Sequence, residues 1–329
     1  MIRLTGVELR RLVARRLTVA GVAAVLLITG IVLVATWNNA KPLSETQQKQ
    51  ARVSFEQQHG EWLAHGEELK KQCTTDYASS PDPKPSLAEF CNYPEPTIEM
   101  FGKPPTSFVD TMPDLLLGSS YLLAFVAFLI GASFVGAEFS SGAIGNWLTF
   151  EPRRGRVYGS KLLGAAVGMV PVAVVALAIL LAGAYLIIDQ LGTTAGTTGK
   201  VWGDLTSTAG RAVLLTAAAG ALGGVSGLLL RHTAAAIGVA MGYLVLIEGV
   251  FGGFLIKAQP WLVKVNFDAW VKHDTKYYVD KCEVVTDGNY NCTTIEKTLS
   301  FEHGAWYLGI IAVVLLALGA AVFSRRDIN

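Results

Sequence analysis

Charge is missing from this chain over stretches too long for an ordinary soluble core. The runs Leu17–Thr36, Leu115–Ala137, Leu162–Ile188, Ala212–Leu230, Thr233–Ile256 and Gly304–Ser324 hold no Asp, Glu, Lys or Arg except Glu248 in the fifth. About 20 residues rising ~1.5 Å each cross a hydrocarbon layer ~30 Å thick, so each run is long enough to span one. Backbone amides in lipid must be satisfied within the segment, which makes these runs helices. The expected fold class is an all-α membrane protein with six transmembrane helices, an N-terminal interfacial helix and two disulfide-stapled extracellular segments. The chain then divides into a basic stretch 1–16, a first span 17–36, an outer segment 37–113, a second span 114–137 and an inner loop 138–161. A third span 162–188, an outer linker 189–211, spans at 212–230 and 233–256, a second outer segment 257–303, a last span 304–324 and a tail 325–329 follow.

Six spans put both ends of the chain on one side, and the cations say which. Arg3, Arg10, Arg11, Arg15, Arg16, Arg153, Arg154, Arg156, Lys161, Arg231, Arg325 and Arg326 all fall on the side of residues 1–16, against only Glu8, Glu138, Glu151 and Asp327. Short basic segments stay cytosolic, so both termini are expected inside, with the chain a multi-pass protein of the plasma (cell) membrane. The first run is longer than the apolar part of a signal peptide, and Trp37 spoils Ala35-Thr-Trp37 as a cleavage site, so it reads as a retained anchor. In residues 1–16, Leu9, Leu12, Val13 and Leu17 share a helical face while Arg11 and Arg15 stand on another. That pattern fits a helix lying in the inner interface with its cations near anionic headgroups; the alternative is a topogenic signal without fixed geometry.

All four cysteines lie in the outer segments. Four cysteines allow three pairings, and an oxidising exterior favours disulfides. Local bridges Cys73–Cys91 and Cys282–Cys292 are expected. Ser44–Gln72 lacks proline and is rich in Gln, Glu and Lys, so it should be helical, whereas Pro81, Pro83, Pro85, Pro94, Pro96, Pro104, Pro105 and Pro113 bar long helices after it. His59 and His65 are six apart and point to different faces, so His59, Glu61, His65 and Glu68 read as a solvated helix surface and no metal site is expected. The Gly/Thr-rich run 192–200 lacks the first glycine of a phosphate-binding loop and has Val201 where Ser or Thr would bind magnesium. It reads as a flexible linker. In the second outer segment, residues 259–270 suit a short helix at the outer interface. A three-residue turn at Thr286–Gly288 would form a hairpin that sets Cys282 opposite Cys292, and Asn291-Cys292-Thr293 matches a glycosylation sequon.

No catalytic constellation stands out. Glu248 is the one ionisable group inside a span, and it either lines a translocation path or is a hydrogen-bonded packing element. Gly164/Gly168, Gly220/Gly224, Gly223/Gly227, Gly238/Gly242 and Gly249/Gly253 are spaced four apart, the spacing that lets helices approach closely in lipid. Intramolecular packing or a subunit contact would both use it.

The inner loop carries the strongest functional signal. Gly136-Ala-Glu138-x-x-x-Gly142, followed by Trp147-Leu-Thr-x-x-Pro152-Arg153-Arg154-x-Arg156-x-x-x-x-Lys161, resembles the inner loop of ABC-type 2 exporter permeases. The closing Phe323-Ser-Arg325-Arg326-Asp327-Ile328 is similar to the family's ending. Ala143 departs from the Thr common after the glycine, and residues 37–113 are far longer than in minimal members. The resemblance implies a permease subunit, itself no enzyme, that works with separate cytosolic ATPase subunits and a second permease copy or homologue in the lipid bilayer. ATP and Mg would bind the ATPase, no cofactor would bind this chain, and no nucleic-acid partner is expected. Glu138, Gly142, Trp147 and Pro152 would belong to the coupling region that sits in a groove of the ATPase. Arg153, Arg154 and Arg156 would contact the ATPase or inner-leaflet phosphates. The competing expectation is a non-transporting membrane scaffold or sensor whose outer segments bind a ligand.

Overall fold

The computed structural model describes residues 2–80, 86–252, 256–284 and 290–325. Two helices form its backbone: α6 (Phe108–Ser140) and α10 (Gly199–Leu230) lie against each other for most of their length. Glycine permits this. A Cβ on Gly131 would stand 2.0 Å from the Gly220 carbonyl oxygen, one on Gly223 2.1 Å from that of Phe128, and one on Gly227 2.4 Å from that of Ala132. Between helices in lipid, attraction comes from such close van der Waals contact, because lipid tails are as apolar as leucine.

Around this pair the chain adds α1 (Ile2–Val13), α2 (Arg16–Ala40), α3 (Glu45–Ser79), α4 (Leu87–Phe90) and α5 (Ile98–Phe101) before α6. Next come α7 (Ala143–Phe150), α8 (Arg154–Gly168) and α9 (Val170–Leu191), then α10 and α11 (Thr233–Gly242). The fifth span runs on from α11 as a π-helix, Tyr243–Phe251. A 3-10 turn at Ile256–Trp261, α12 (Val263–Lys272), strands β1 (Thr275–Val284) and β2 (Tyr290–Leu299), and α13 (Phe301–Arg325) complete the order. Six helical stretches, Arg16–Ala40, Phe108–Ser140, Arg154–Leu191, Gly199–Leu230, Thr233–Phe251 and Phe301–Arg325, are long and apolar enough to cross a membrane.

Three boundaries differ from the sequence reading. The second span begins at Phe108 and carries Pro113 inside it. Pro113, the sixth residue of α6, leaves the Val109 carbonyl without its donor and crowds it, yet the helix runs on through this turn. The linker 189–211 is helical from Gly199 onward, started by the Thr198 side chain, which accepts from the Val201 N–H. The third span is broken at Met169, with Pro171 in the first turn of α9.

Beyond the spans, α3 is a separate arm of 35 residues. It starts in a capping box of Ser44 and Gln47. Along one side, Phe55 meets Phe101 at 5.9 Å, His59 meets Glu95 at 2.9 Å and Tyr77 meets Phe90 at 5.4 Å. The Cys73–Cys91 disulfide ties the returning segment to it. Pro81, Pro83 and Pro85 lie outside the described residues. In the hairpin, Cys282 is bonded to Cys292 and pairs directly across from it. The turn at Thr286–Gly288 also lies outside the described residues, as do Arg326, Asp327 and Ile328.

Candidate functional site

Where α1, α6 and α8 meet, five charged side chains converge under the loop 141–153. Glu8, Glu138 and Lys161 are 1%, 2% and 3% exposed. The Lys161 ammonium donates to Glu8 Oε1 at 2.9 Å and also to Glu138 Oε2. Arg11 Nη2 meets Glu138 Oε1 at 3.0 Å, and its Nη1 makes a long pair with Glu8 Oε2 at 3.5 Å. Arg15 Nη2 stands 3.5 Å from Glu138 Oε1, while its Nη1 donates to the Ser133 carbonyl at 3.0 Å. Burial pulls the Arg15 guanidinium below its ordinary value, with Glu138 working the other way. Aromatic faces close the cluster. Arg11 and Lys161 lie 5.1 Å and 5.2 Å from the Trp147 ring, and Arg15 lies 4.9 Å over Phe134.

Local sequence explains how these groups arrive together. In α1, Glu8, Arg11 and Leu12 recur at helical spacing on one side, and Arg15 stands just beyond, before α2. Gly164 and Gly168 on α8 leave room for that side: a Cβ on Gly164 would lie 3.1 Å from Glu8 Cβ, and one on Gly168 2.7 Å from Leu12 Cδ2. The inward face is thus Glu8 with Leu12, and not the whole set Leu9, Leu12, Val13 and Leu17, because Val13 and Leu17 point outward. A buried carboxylate is stable here because it finds cations; unpaired, it would be strongly disfavoured.

Above the cluster, Gly142 ends α6 and opens α7 with φ of +70°, a left-handed turn that favours glycine. Ile144 is buried and Trp147 half-buried, both turned toward the bundle. Glu151 and Arg156 approach to 3.9 Å. Arg154 Nη1 lies 3.4 Å from the Phe323 and Ser324 carbonyls, so it caps the C-terminal end of α13, where the helix carbonyls lack partners. Pro152, Arg153 and Arg156 are exposed.

The expected coupling residues do not all share one surface. Glu138, expected at the start of the coupling region, is carried by α6, which runs on to Ser140, into the ion cluster. Trp147 forms part of the lid on that cluster, and Arg154 serves the last span. Of the expected residues, Gly142, Pro152, Arg153 and Arg156 are exposed. Glu8, Arg11, Arg15 and Lys161 were missed as a site. Their signal was present: Glu8 is the one acid in an arginine-rich start, and Glu138 and Lys161 end two spans at the same boundary.

Glu248 sits at the other end of the bundle. Its Oε1 accepts from the Tyr243 hydroxyl at 2.8 Å and from the Val263 and Lys264 amides at 2.7 Å and 3.3 Å. It therefore caps the N-terminal end of α12, satisfying amides that have no partner within the helix. Tyr121 donates to Asp268 Oδ1 at 2.5 Å, and Lys272 pairs with Asp114 at 3.0 Å, fixing the same helix to α6. Burial pushes the Asp268 carboxyl up, while the Tyr121 hydrogen bond pulls the other way. The other oxygen of Glu248, Oε2, is buried without a hydrogen-bond partner. Among the described residues, no three His, Cys, Asp or Glu side chains come together to hold a metal ion.

A family model described as ABC-2 family transporter protein matches residues 3–328. The chain belongs to the ABC-2 transporter family. No curated protein and no solved structure matches it significantly. An ABC-2 protein is the membrane component of a transporter and works with ATPase subunits. The family match runs from α1 to the C-terminal tail, so the arm α3 and the hairpin lie within the matched residues.

Proposed function

We propose that this chain is the transmembrane permease of an ATP-driven exporter, moved by separate cytosolic ATPase subunits through the loop between α6 and α8. The observation that carries this reading is the buried ion cluster beneath the loop. A force applied to residues 143–153 is passed to α1, α6 and α8 together, because Lys161 is bonded to carboxylates on both other helices. The tight α6–α10 contact carries α10 with them. The break at Met169 gives the third span a place to bend as its inner half moves.

In this reading the loop, both termini and the exposed arginines face the cytosol, and the chain resides in the plasma membrane beside a second permease copy or homologue. ATP and magnesium belong to the ATPase. The outward side of α1, with Arg3, Val7, Arg10 and Val13 exposed, suits the anionic inner leaflet. Gly142, Pro152, Arg153 and Arg156 shape or present the docking surface. Glu138, Trp147 and Arg154 set its position from behind.

The test is to purify the detergent-solubilised chain and identify its stoichiometric partners. A protein that carries a phosphate-binding loop and hydrolyses ATP is expected. A chain that purifies alone, under conditions where its spans stay folded, would end the exporter assignment.

A further inference from the structure

Glu248 has only half of its carboxylate satisfied. Its Oε1 takes three donors, the Tyr243 hydroxyl and the Val263 and Lys264 amides, while Oε2 is buried with no partner. The contact with Tyr243 depends on the π-helix. Residues five apart stand on different sides of an α-helix, and the wider turn over Tyr243–Phe251 brings them round together. Two more unpartnered atoms border the same turn of α12. Asn266 is 0% exposed, and its Nδ2 donates to the Pro260 and Leu262 carbonyls at 2.8 Å, leaving Oδ1 unpaired. The His303 ring lies 5.6 Å from that of Trp261, and its buried Nε2 is unpaired too. Buried polar atoms almost always find hydrogen bonds, so three orphans around residues 260–264 point to an occupant.

We infer that Glu248, Asn266 and His303 bind the ammonium head of an amphipathic primary amine, and that amines of this kind are the cargo. The inference rests on the exporter reading and adds to it the chemistry of what is moved. A carboxylate oxygen and an amide oxygen only accept hydrogen bonds, as does His303 Nε2 when its proton is on Nδ1; a primary ammonium offers three donors and no acceptor. Among the described residues no cation pairs with Glu248, so a positive head also supplies the missing charge. The head must be small, because all three atoms are closed to solvent. Its tail meets apolar surface: the Trp261 ring, 62% exposed, lies 6.2 Å from that of Tyr307, and aromatic faces attract ammonium groups. One carboxylate with one imidazole and one amide falls short of the set a divalent metal takes. Carried on a span, the carboxylate stands where cargo crosses.

The experiment measures binding of radiolabelled phenethylamine to the full chain in lipid nanodiscs at neutral pH, with phenethyl alcohol and phenethyltrimethylammonium as competitors. Saturable binding that neither competitor displaces is the expected result, since the alcohol lacks the charge and the trimethylated form lacks N–H donors. Glu248→Gln should weaken binding about thirty-fold, the worth of a charged hydrogen bond. Because Glu248 also caps α12, His303→Leu serves as a second variant that leaves the cap alone; it should weaken binding about five-fold with the melting midpoint unchanged. No saturable binding, displacement by either competitor or by sodium at constant ionic strength, or binding untouched by both substitutions overturns the site while leaving the exporter reading intact. If the amine binds but the chain brings down no ATPase, the site stands and the exporter reading falls, taking the cargo assignment with it.

Discussion

Lys161 shows how much one side chain can decide. Its ammonium serves Glu8 and Glu138 at once, in a place almost closed to water. Removing one member of a buried ion pair typically costs about 3–5 kcal/mol, because the remaining charge keeps its desolvation cost without its partner. Lys161→Met should therefore lower the thermal midpoint of the detergent-solubilised chain by several degrees. Adding Glu8→Gln to it should cost less than the sum of the two single changes, since both act within one network. Additive losses, measured by the same melting curves, would mean that the groups do not form a network. The sequence shows the ingredients of this cluster as charges at the edges of apolar runs. It does not show that they are buried, because a charge at a span boundary looks the same whether it faces water or a partner 153 residues away. Glu248 is the reverse case: inside a span by position, it proves to be a helix cap near the far end.

At the level of elements, the four-residue glycine spacing was legible and its meaning was not. Gly164/Gly168, Gly220/Gly224 and Gly223/Gly227 each face another helix at contact distance, whereas a Cβ on Gly238 or Gly242 would meet nothing within 4 Å. Identical spacing thus serves packing in three pairs and leaves the fourth facing outward. Gly223→Leu should prevent α6 and α10 from closing and abolish recovery of folded protein, while Gly238→Leu should leave the melting temperature of the solubilised chain nearly unchanged. Equal damage from both, seen by size-exclusion profile and melting, would contradict the packing described for α6 and α10. Helix ends were less legible than helix cores. The start of α10 at Gly199 depends on Thr198 as a cap in a stretch whose Gly and Thr content suggests a linker. The hairpin was easier, since a register that pairs Cys282 with Cys292 follows from where the cysteines stand.

Across the whole molecule, hydropathy and charge were enough to give six spans and the helical class, because lipid leaves the backbone few alternatives. The long segment between the first two spans had no such constraint. Its order comes from one side of α3 packed against a returning strand of chain, with Cys73–Cys91 as the staple. The account as a whole rests on the loop between α6 and α8 being the handle of a separate motor. The direct test replaces residues 143–153 with a Gly-Ser segment of equal length and measures the native mass of the purified complex beside that of the unaltered chain. An ATP hydrolase should be bound in whole-number ratio to the unaltered chain and lost from the variant, with the melting of the spans preserved. A hydrolase retained by the variant, or absent from both, would contradict it.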